Sequence, residues 1–280
     1  RHLVAGSIKG PFHHMNAPLT QETQELRGQI NSFEFLPIGS DTLFVAFHSP
    51  ALLRCKTAIL LSHPFAEEKL WSHRVFVNLA RWLAGLGYLV VRFDYPGAGD
   101  SASGVSEDRS VQDYADVLER VAIFVLDRYK LESVSVIGLR LGATIAARLP
   151  KTLASGKLSS IVLWQPVVNG ESYLQELLRS NLGMQIAAYG RINWSRESLT
   201  ESLSRGETIN IDGYCLGPKL YNSLCKRKLF EVSDESETGI PTQIVQIATT
   251  EKQSMSMELL ELTDNLQNHE FQKVIFLPFW

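Results

Sequence analysis

The sequence predicts an α/β fold built on a doubly wound, mostly parallel sheet. Three observations carry that expectation: strand-sized apolar runs recur along the chain, helical periods separate them, and glycine-bearing turns follow the runs directly. Alternating apolar residues in Ser32–Leu36 and Leu43–Phe47, with Gly39, Ser40 and Asp41 between them, predict an opening antiparallel hairpin. The runs Thr57–Leu61, Tyr88–Phe93, Val134–Ile137, Ser160–Trp164, Thr242–Ile247 and Lys273–Leu277 then read as strands, most of them near-continuous, as strands covered on both faces tend to be. Between them, Val75, Leu79, Trp82 and Leu83 form one helical stripe, and Val111, Ala115, Leu118, Ala122, Val125 and Tyr129 form another that Ser110 is placed to cap.

The interval 167–240 breaks this alternation. It holds amphipathic pieces such as Tyr173–Leu178, a mixed stretch through Tyr214 and Tyr221, and a polar connector at Ser233–Gly239, and is expected to form a helical lid over the strand ends. The core is then expected in two parts, 15–166 and 241–280. Arg1–His14 reads as a vector-derived leader before a start at Met15, with His13 and His14 as tag remnants rather than metal ligands.

Composition narrows the function. A chain of 280 residues with 45% hydrophobic content is long enough for one large core. A net charge of −3 excludes the concentrated positive surface that nucleic acid requires, and the run Cys225–Leu229 reads as a solvated helix end. Cys55, Cys215 and Cys225 form no disulfide framework and no C-x-x-C pair, so a reducing cytoplasm is expected. No apolar run approaches the roughly 18 residues of a membrane span. His63 and His73 lack metal-ligand spacing, and neither metal nor cofactor is expected.

Three segments carry the candidate chemistry. Val134–Ile137 leads into Gly138-Leu139-Arg140-Leu141-Gly142, the glycine spacing of a sharp strand-to-helix turn that usually holds a nucleophilic serine at its centre. Here that centre is Arg140, whose guanidinium is neither nucleophile nor base. Ser62-His63-Pro64-Phe65-Ala66-Glu67-Glu68-Lys69 follows the third strand, where a backbone N–H, that of Phe65, is placed to stabilise an oxyanion beside Leu141. Asp94-Tyr-Pro-Gly-Ala-Gly-Asp-Ser101 follows the fourth strand, and its glycines permit tight turns beside a pocket.

In this order the segments resemble the α/β-hydrolase superfamily over nearly the whole chain from Asn31. Pro64–Glu68, Gly138–Ala143 and Pro278-Phe279-Trp280 resemble more narrowly the second type of exosortase A system-associated hydrolases. The superfamily implies a fold of α/β-hydrolase type with a lid. The narrower likeness implies a bacterial origin and a link to exopolysaccharide or sorted-surface-protein gene clusters. For the superfamily's acid after the seventh of these runs the candidate is Glu251, which otherwise reads as a solvated loop residue; its histidine has no counterpart in this sequence, since His269 precedes the last strand and reads as a surface residue.

Two roles for Arg140 stand open. At the start of the following helix it joins free N–H groups and a positive dipole end, which favours an anionic or acyl-bearing small molecule bound by Arg140, Leu141, Phe65, Glu67 and Glu68. Alternatively Glu67 or Glu68 pairs with Arg140 and closes the pocket. A non-standard hydrolase would use His63 as base, oriented by Asp94 or Asp100, with Ser62, Ser101 or Cys215 as nucleophile. A third reading is an interaction protein of an export assembly.

Overall fold

The computed structural model describes residues 30–103, 108–149, 152–226, 229–230, 239–264, 266 and 268–280. The expected leader with Met15, and positions 233–238 of the polar connector, lie outside these residues.

Among the described residues, eight strands form one sheet. Strand β1 (Ile30–Ile38) pairs antiparallel with β2 (Asp41–Ser49), which pairs antiparallel with β4 (Leu89–Phe93). The parallel part follows, through β3 (Thr57–Ser62), β5 (Ser133–Leu139), β6 (Leu158–Trp164), β9 (Thr242–Ala248) and β10 (His269–Ile275), giving the order β1-β2-β4-β3-β5-β6-β9-β10. This is the α/β-hydrolase fold. The final strand begins earlier than its apolar run suggested: pairing with β9 starts at His269, while Leu277 lies beyond the pairing and is exposed.

Helices cover both faces. On one, α1 (Glu67–Gly85) packs Phe76, Leu79, Ala80 and Leu83 onto Ile59, Leu61 and Val90. Trp82, expected in that stripe, is 46% exposed, because the buried face runs through residues 72, 76, 79, 80 and 83 and leaves position 82 to its side. On the other face, α2 (Val111–Tyr129) buries Val111, Ala115, Leu118, Ala122 and Val125. Its start is fixed by a reciprocal box: Ser110 Oγ accepts from Asp113 N–H, and Asp113 accepts from Ser110 N–H. Lys130, in a left-handed conformation, ends it.

The opening hairpin is present but turned. Leu36, Ile38, Leu43, Val45 and Phe47 face the core, whereas Phe33 and Phe35 are exposed and flank the Phe44 ring at 5.9 and 5.7 Å. Alternation alone does not say which face is inward, and here the second strand's aliphatic residues decide it.

Between β6 and β9 the chain forms α4 (Gly170–Tyr189), α5 (Arg196–Ser204), a small hairpin of β7 (Ile209–Ile211) and β8 (Tyr214–Leu216), and α6 (Pro218–Leu224). This insert shares the main core: Tyr173, Leu174, Leu177 and Leu178 of α4 pack with Leu199, Leu203, Leu216, Leu220 and Leu224.

The turn after β5 approaches the loop after β3 so closely that no side chain fits between them. A Cβ on Gly142 would lie 2.3 Å from Ser62 O and 2.4 Å from His63 O, and one on Gly138 would lie 2.5 Å from Ala143 Cα. Gly142→Ala is therefore expected to cost about 1–3 kcal/mol through forced backbone displacement, read as a lower urea midpoint with unchanged slope. Gly183→Ala in α4, where the added carbon meets nothing within 4 Å, should instead be neutral or stabilising.

Candidate functional site

The last residue of β5, Leu139, is followed by Arg140 at φ 52° and ψ −120°, and then by α3 (Leu141–Ala146). A non-glycine residue rarely adopts this conformation, which is costly unless its surroundings enforce it. They do so on both sides of the residue. Arg140 N–H donates to Trp164 O at 3.0 Å, and Arg140 O accepts from Ala143 N–H at 3.0 Å and Thr144 N–H at 3.2 Å. Thr144 Oγ1 donates in turn to Val167 O at 2.7 Å, tying the helix start to the chain leaving β6.

The guanidinium leaves this turn into a closed ionic cluster. Nε donates to Glu68 Oε1 at 2.9 Å, and Nη2 donates to the Glu176 carboxylate. The other oxygen of Glu68 accepts from Tyr173 Oη at 2.8 Å. The guanidinium carbon stands 5.2 Å from the centre of the Tyr173 ring and 5.7 Å from that of Trp280. The Arg140 side chain is 12% exposed and that of Glu68 is 15% exposed, so this pair is removed from water, whereas Glu176 is half exposed.

Electrostatics follow burial. Desolvation raises the Glu68 carboxyl above the ordinary range, against the pull of Arg140 and Tyr173. Desolvation opposes the charge on Arg140, but Glu68, Tyr173 and Glu176 outweigh it and raise its pKa. Burial also drives the Tyr173 hydroxyl well up, leaving it a neutral donor.

The residues expected to form one ligand site separate into two clefts. Phe65 and Leu141 line a cleft of about 480 Å³ with Tyr95, Tyr114, Tyr214 and Cys215. Glu67 and Glu68 line another, of about 530 Å³, with Trp71, Tyr173, Glu176 and Trp280. Arg140 belongs to the lining of neither; its side chain is occupied by the two carboxylates. The expected contribution of a helix dipole is small as well, because α3 has only six residues.

The residues of the alternative hydrolytic site are engaged elsewhere. His63 Nδ1 bonds Pro64 O at 2.6 Å and Nε2 accepts from Tyr95 N–H at 3.1 Å, a network that assigns the proton to Nδ1 and leaves no nitrogen for a substrate. Asp94, expected to orient His63, instead pairs with Lys69 Nζ at 2.9 Å and accepts from Asp100 N–H at 3.0 Å. Gly99 passes so close that a Cβ there would lie 2.0 Å from Asp94 Oδ2. Ser62 Oγ donates to Gly142 O at 2.9 Å and lies 2.8 Å from Tyr95 Oη. Ser101 Oγ donates to Asp94 O and accepts from Phe44 N–H, at 2.6 and 2.8 Å. Glu251 is exposed on the turn after β9, and His269 is exposed at the start of β10. Of the fallback nucleophiles, Cys215 lines a cleft and is partly exposed.

Sequence reasoning missed Glu176, Tyr173 and Trp280 as members of the Arg140 cluster. Tyr173 and Glu176 do fall three apart on one helix face, but their meeting with Arg140 is made by the fold. Gln165, a further positive-φ residue at a strand end (φ 43°), was also missed; its Oε1 accepts from Ile247 N–H at 2.9 Å and joins β6 to β9.

Residues 54–210, more than half of the chain, match the family described as serine aminopeptidase, S33. The chain belongs to that family. No curated protein matches it. The same fold occurs in a carboxylesterase study of the ammonia-oxidising thaumarchaeon Nitrososphaera gargenis (15% identity, TM-score 0.57, 88% of this chain and 90% of that one). It occurs too in the esterase Pf2001 of Pyrococcus furiosus (16%, 0.59, 89% and 83%) and in proline iminopeptidase of Mycobacterium smegmatis (13%, 0.57, 86% and 89%). Identities this low establish the fold of this family member and nothing finer. Among the described residues, no helix is long and apolar enough to cross a membrane, and no group of three or more His, Cys, Asp or Glu is placed to hold a metal ion.

Two outcomes are expected. Burial, then the nearby Lys69, lowers the His63 pKa from 6.5 to about 4. The unfolded chain therefore binds the extra proton first, and stability present at neutral pH is lost as pH falls from about 6.5 to about 4, by roughly 3 kcal/mol in all. Urea unfolding across that range should show a shallower pH slope in His63→Gln than in the parent. Arg140→Ala strands Glu68 in a dry site and is expected to cost about 3–5 kcal/mol, whereas adding Glu68→Gln should recover part of that loss, so the two changes are not additive in a double-mutant cycle.

Proposed function

We propose that this chain is a non-hydrolytic member of its family, with a degenerate nucleophile elbow, that binds an acyl-bearing small molecule beside Phe65 and Leu141. One observation carries the reading: the residue at the turn is Arg140, which has no nucleophilic atom and whose charge is consumed by Glu68 and Glu176. Loss of a triad nucleophile costs on the order of a millionfold in kcat, so binding is the function the remaining architecture supports.

The cleft at Phe65 and Leu141 suits such a ligand. Its walls are aromatic and aliphatic, with Tyr95, Tyr114, Tyr214 and Ile145, and burial raises the Tyr114 hydroxyl to about 12, so it stays a neutral hydrogen-bond donor. Tyr214 and Cys215 come from the insert, which in this reading acts as a lid whose hairpin covers the cleft. An anionic group would reach Arg140 only by displacing Glu176, the exposed member of the cluster. The exosortase association belongs to the same proposal. Its support is that Glu68, Arg140 and Trp280, one from each of the three sequence patches that suggest it, meet in a single cluster.

Exposure to a fluorophosphonate probe, with intact mass as the readout and p-nitrophenyl butyrate as a turnover substrate, tests the reading. Neither adduct nor turnover is expected in the parent or in Arg140→Ser, because His63 has no nitrogen free to activate a serine. Octanamide should raise the melting temperature of the parent and not of Leu141→Trp, which fills the cleft. An adduct on the parent, at Cys215 or elsewhere, would reinstate an enzyme with a non-standard nucleophile.

A further inference from the structure

A second polar cavity lies between α1 and the end of β4, away from the Arg140 cluster. Lys69, Ser72 and His73 of α1 face Arg92 and Asp94 across it, with Phe76 and Phe93 among its apolar walls. Its charges do not balance. Arg92 Nε donates to His48 Nε2 at 3.0 Å, and His48, 2% exposed, is kept neutral: burial first, then Arg92 and Arg81, lower its pKa to about 4. The group that orients Arg92 is therefore an uncharged ring and not a carboxylate. Because Nε2 accepts, the proton sits on Nδ1, which is buried with no hydrogen-bond partner. The fold tolerates that orphaned donor and holds the guanidinium against a neutral neighbour.

No ion pair to Arg92 forms among the described residues. The one acid lining the cavity, Asp94, is already engaged by Lys69 Nζ and by Asp100 N–H. Ser72 Oγ donates to Glu68 O at 2.7 Å and is not an available donor. Lys69 and His73, four residues apart on α1, present their side chains from one helix face. Arg81, two turns beyond His73, acts on both His48 and Arg92 through its charge. Among the residues that line the cavity, Lys69 and Arg92 against Asp94 leave one positive charge.

We infer that this cavity binds a phosphate-type oxyanion, free or as a terminal monoester, with the Arg92 guanidinium as its principal contact and Lys69 and His73 at its mouth. A guanidinium presents paired N–H groups that match two oxygens of a tetrahedral oxyanion, and a negative ligand matches the sign of the excess charge. The site shares only His63 with the lining of the acyl cleft, and the inference does not rest on the function proposed above.

Isothermal titration calorimetry of the full chain at constant ionic strength, with inorganic phosphate in one arm and phenyl phosphate in the other, tests it. Saturable one-site binding of at least one probe is expected; tighter phosphate identifies a free-ion site, and tighter phenyl phosphate a monoester site. Arg92→Met should weaken binding at least tenfold, and Arg81→Met severalfold. Arg81 is exposed, so its replacement spares the core and keeps the test decisive should Arg92→Met fold poorly. Arg191→Met, which removes an exposed charge from the insert, should leave binding unchanged. Absence of saturable binding to both probes, binding that survives Arg92→Met at full strength, or an equal loss in Arg191→Met each overturns the inference.

Discussion

A guanidinium buried at a sharp backbone turn has to be neutralised where it stands, and the architecture around Arg140 follows from that requirement. The turn itself is forced by the glycines at 138 and 142, which let β5 hand over to α3 within van der Waals contact of the loop after β3. Once Arg140 occupies its apex, a carboxylate must reach it from a neighbouring element. Glu68 does so from the first turn of α1, and Glu176 and Tyr173 do so from α4, while Trp280 closes the remaining side. Four segments distant in sequence are thus held at one point by charge and burial. An unpaired guanidinium in that place would cost several kcal/mol, which makes the cluster a condition of the fold as built.

The scaffold is that of the α/β-hydrolase fold, and the polar groups at its strand ends are bonded within the protein. Loops that in related folds serve catalysis are here fastened to themselves: His63 to Pro64 and Tyr95, Asp94 to Lys69, Ser62 to Gly142, Ser101 to Asp94. Each of these bonds satisfies a group that would otherwise be buried and unpaired, and together they stiffen the strand ends. What stays open is the space between them. The tyrosine-lined cleft has Leu141, next to Arg140, in its wall, and the acidic cleft has Glu68 and Glu176, which pair with Arg140.

Much of the sheet was legible in the sequence because its signals are local. Near-continuous runs such as Thr57–Leu61 and Ser160–Trp164 became β3 and β6, and Ser110 capped α2 as its side-chain chemistry allows. The glycine spacing around Arg140 likewise announced the turn, since only close backbone approach demands glycine at both ends. The misreadings concern facing and distance. Phe33 and Phe35 alternate properly but face outward, and Trp82 lies beside its helical stripe, because burial depends on which neighbour covers an element. Glu176 and Trp280 meet Arg140 from 36 and 140 residues away, a proximity that no periodicity encodes. The ring of His63 is held by backbone atoms, and backbone partners leave no trace in residue types.

The pairing of Arg140 with Glu68 also bears on how such a chain changes over generations. A serine introduced at position 140 by itself would leave Glu68 buried without its guanidinium partner, so that single change is a step down in stability. Glu68 would have to change beforehand or soon after, and Tyr173, which donates to it, would then lose its acceptor in turn. Such epistasis works as a ratchet: once the cluster has formed, its members hold one another in place, and single replacements within it become harder with every contact added.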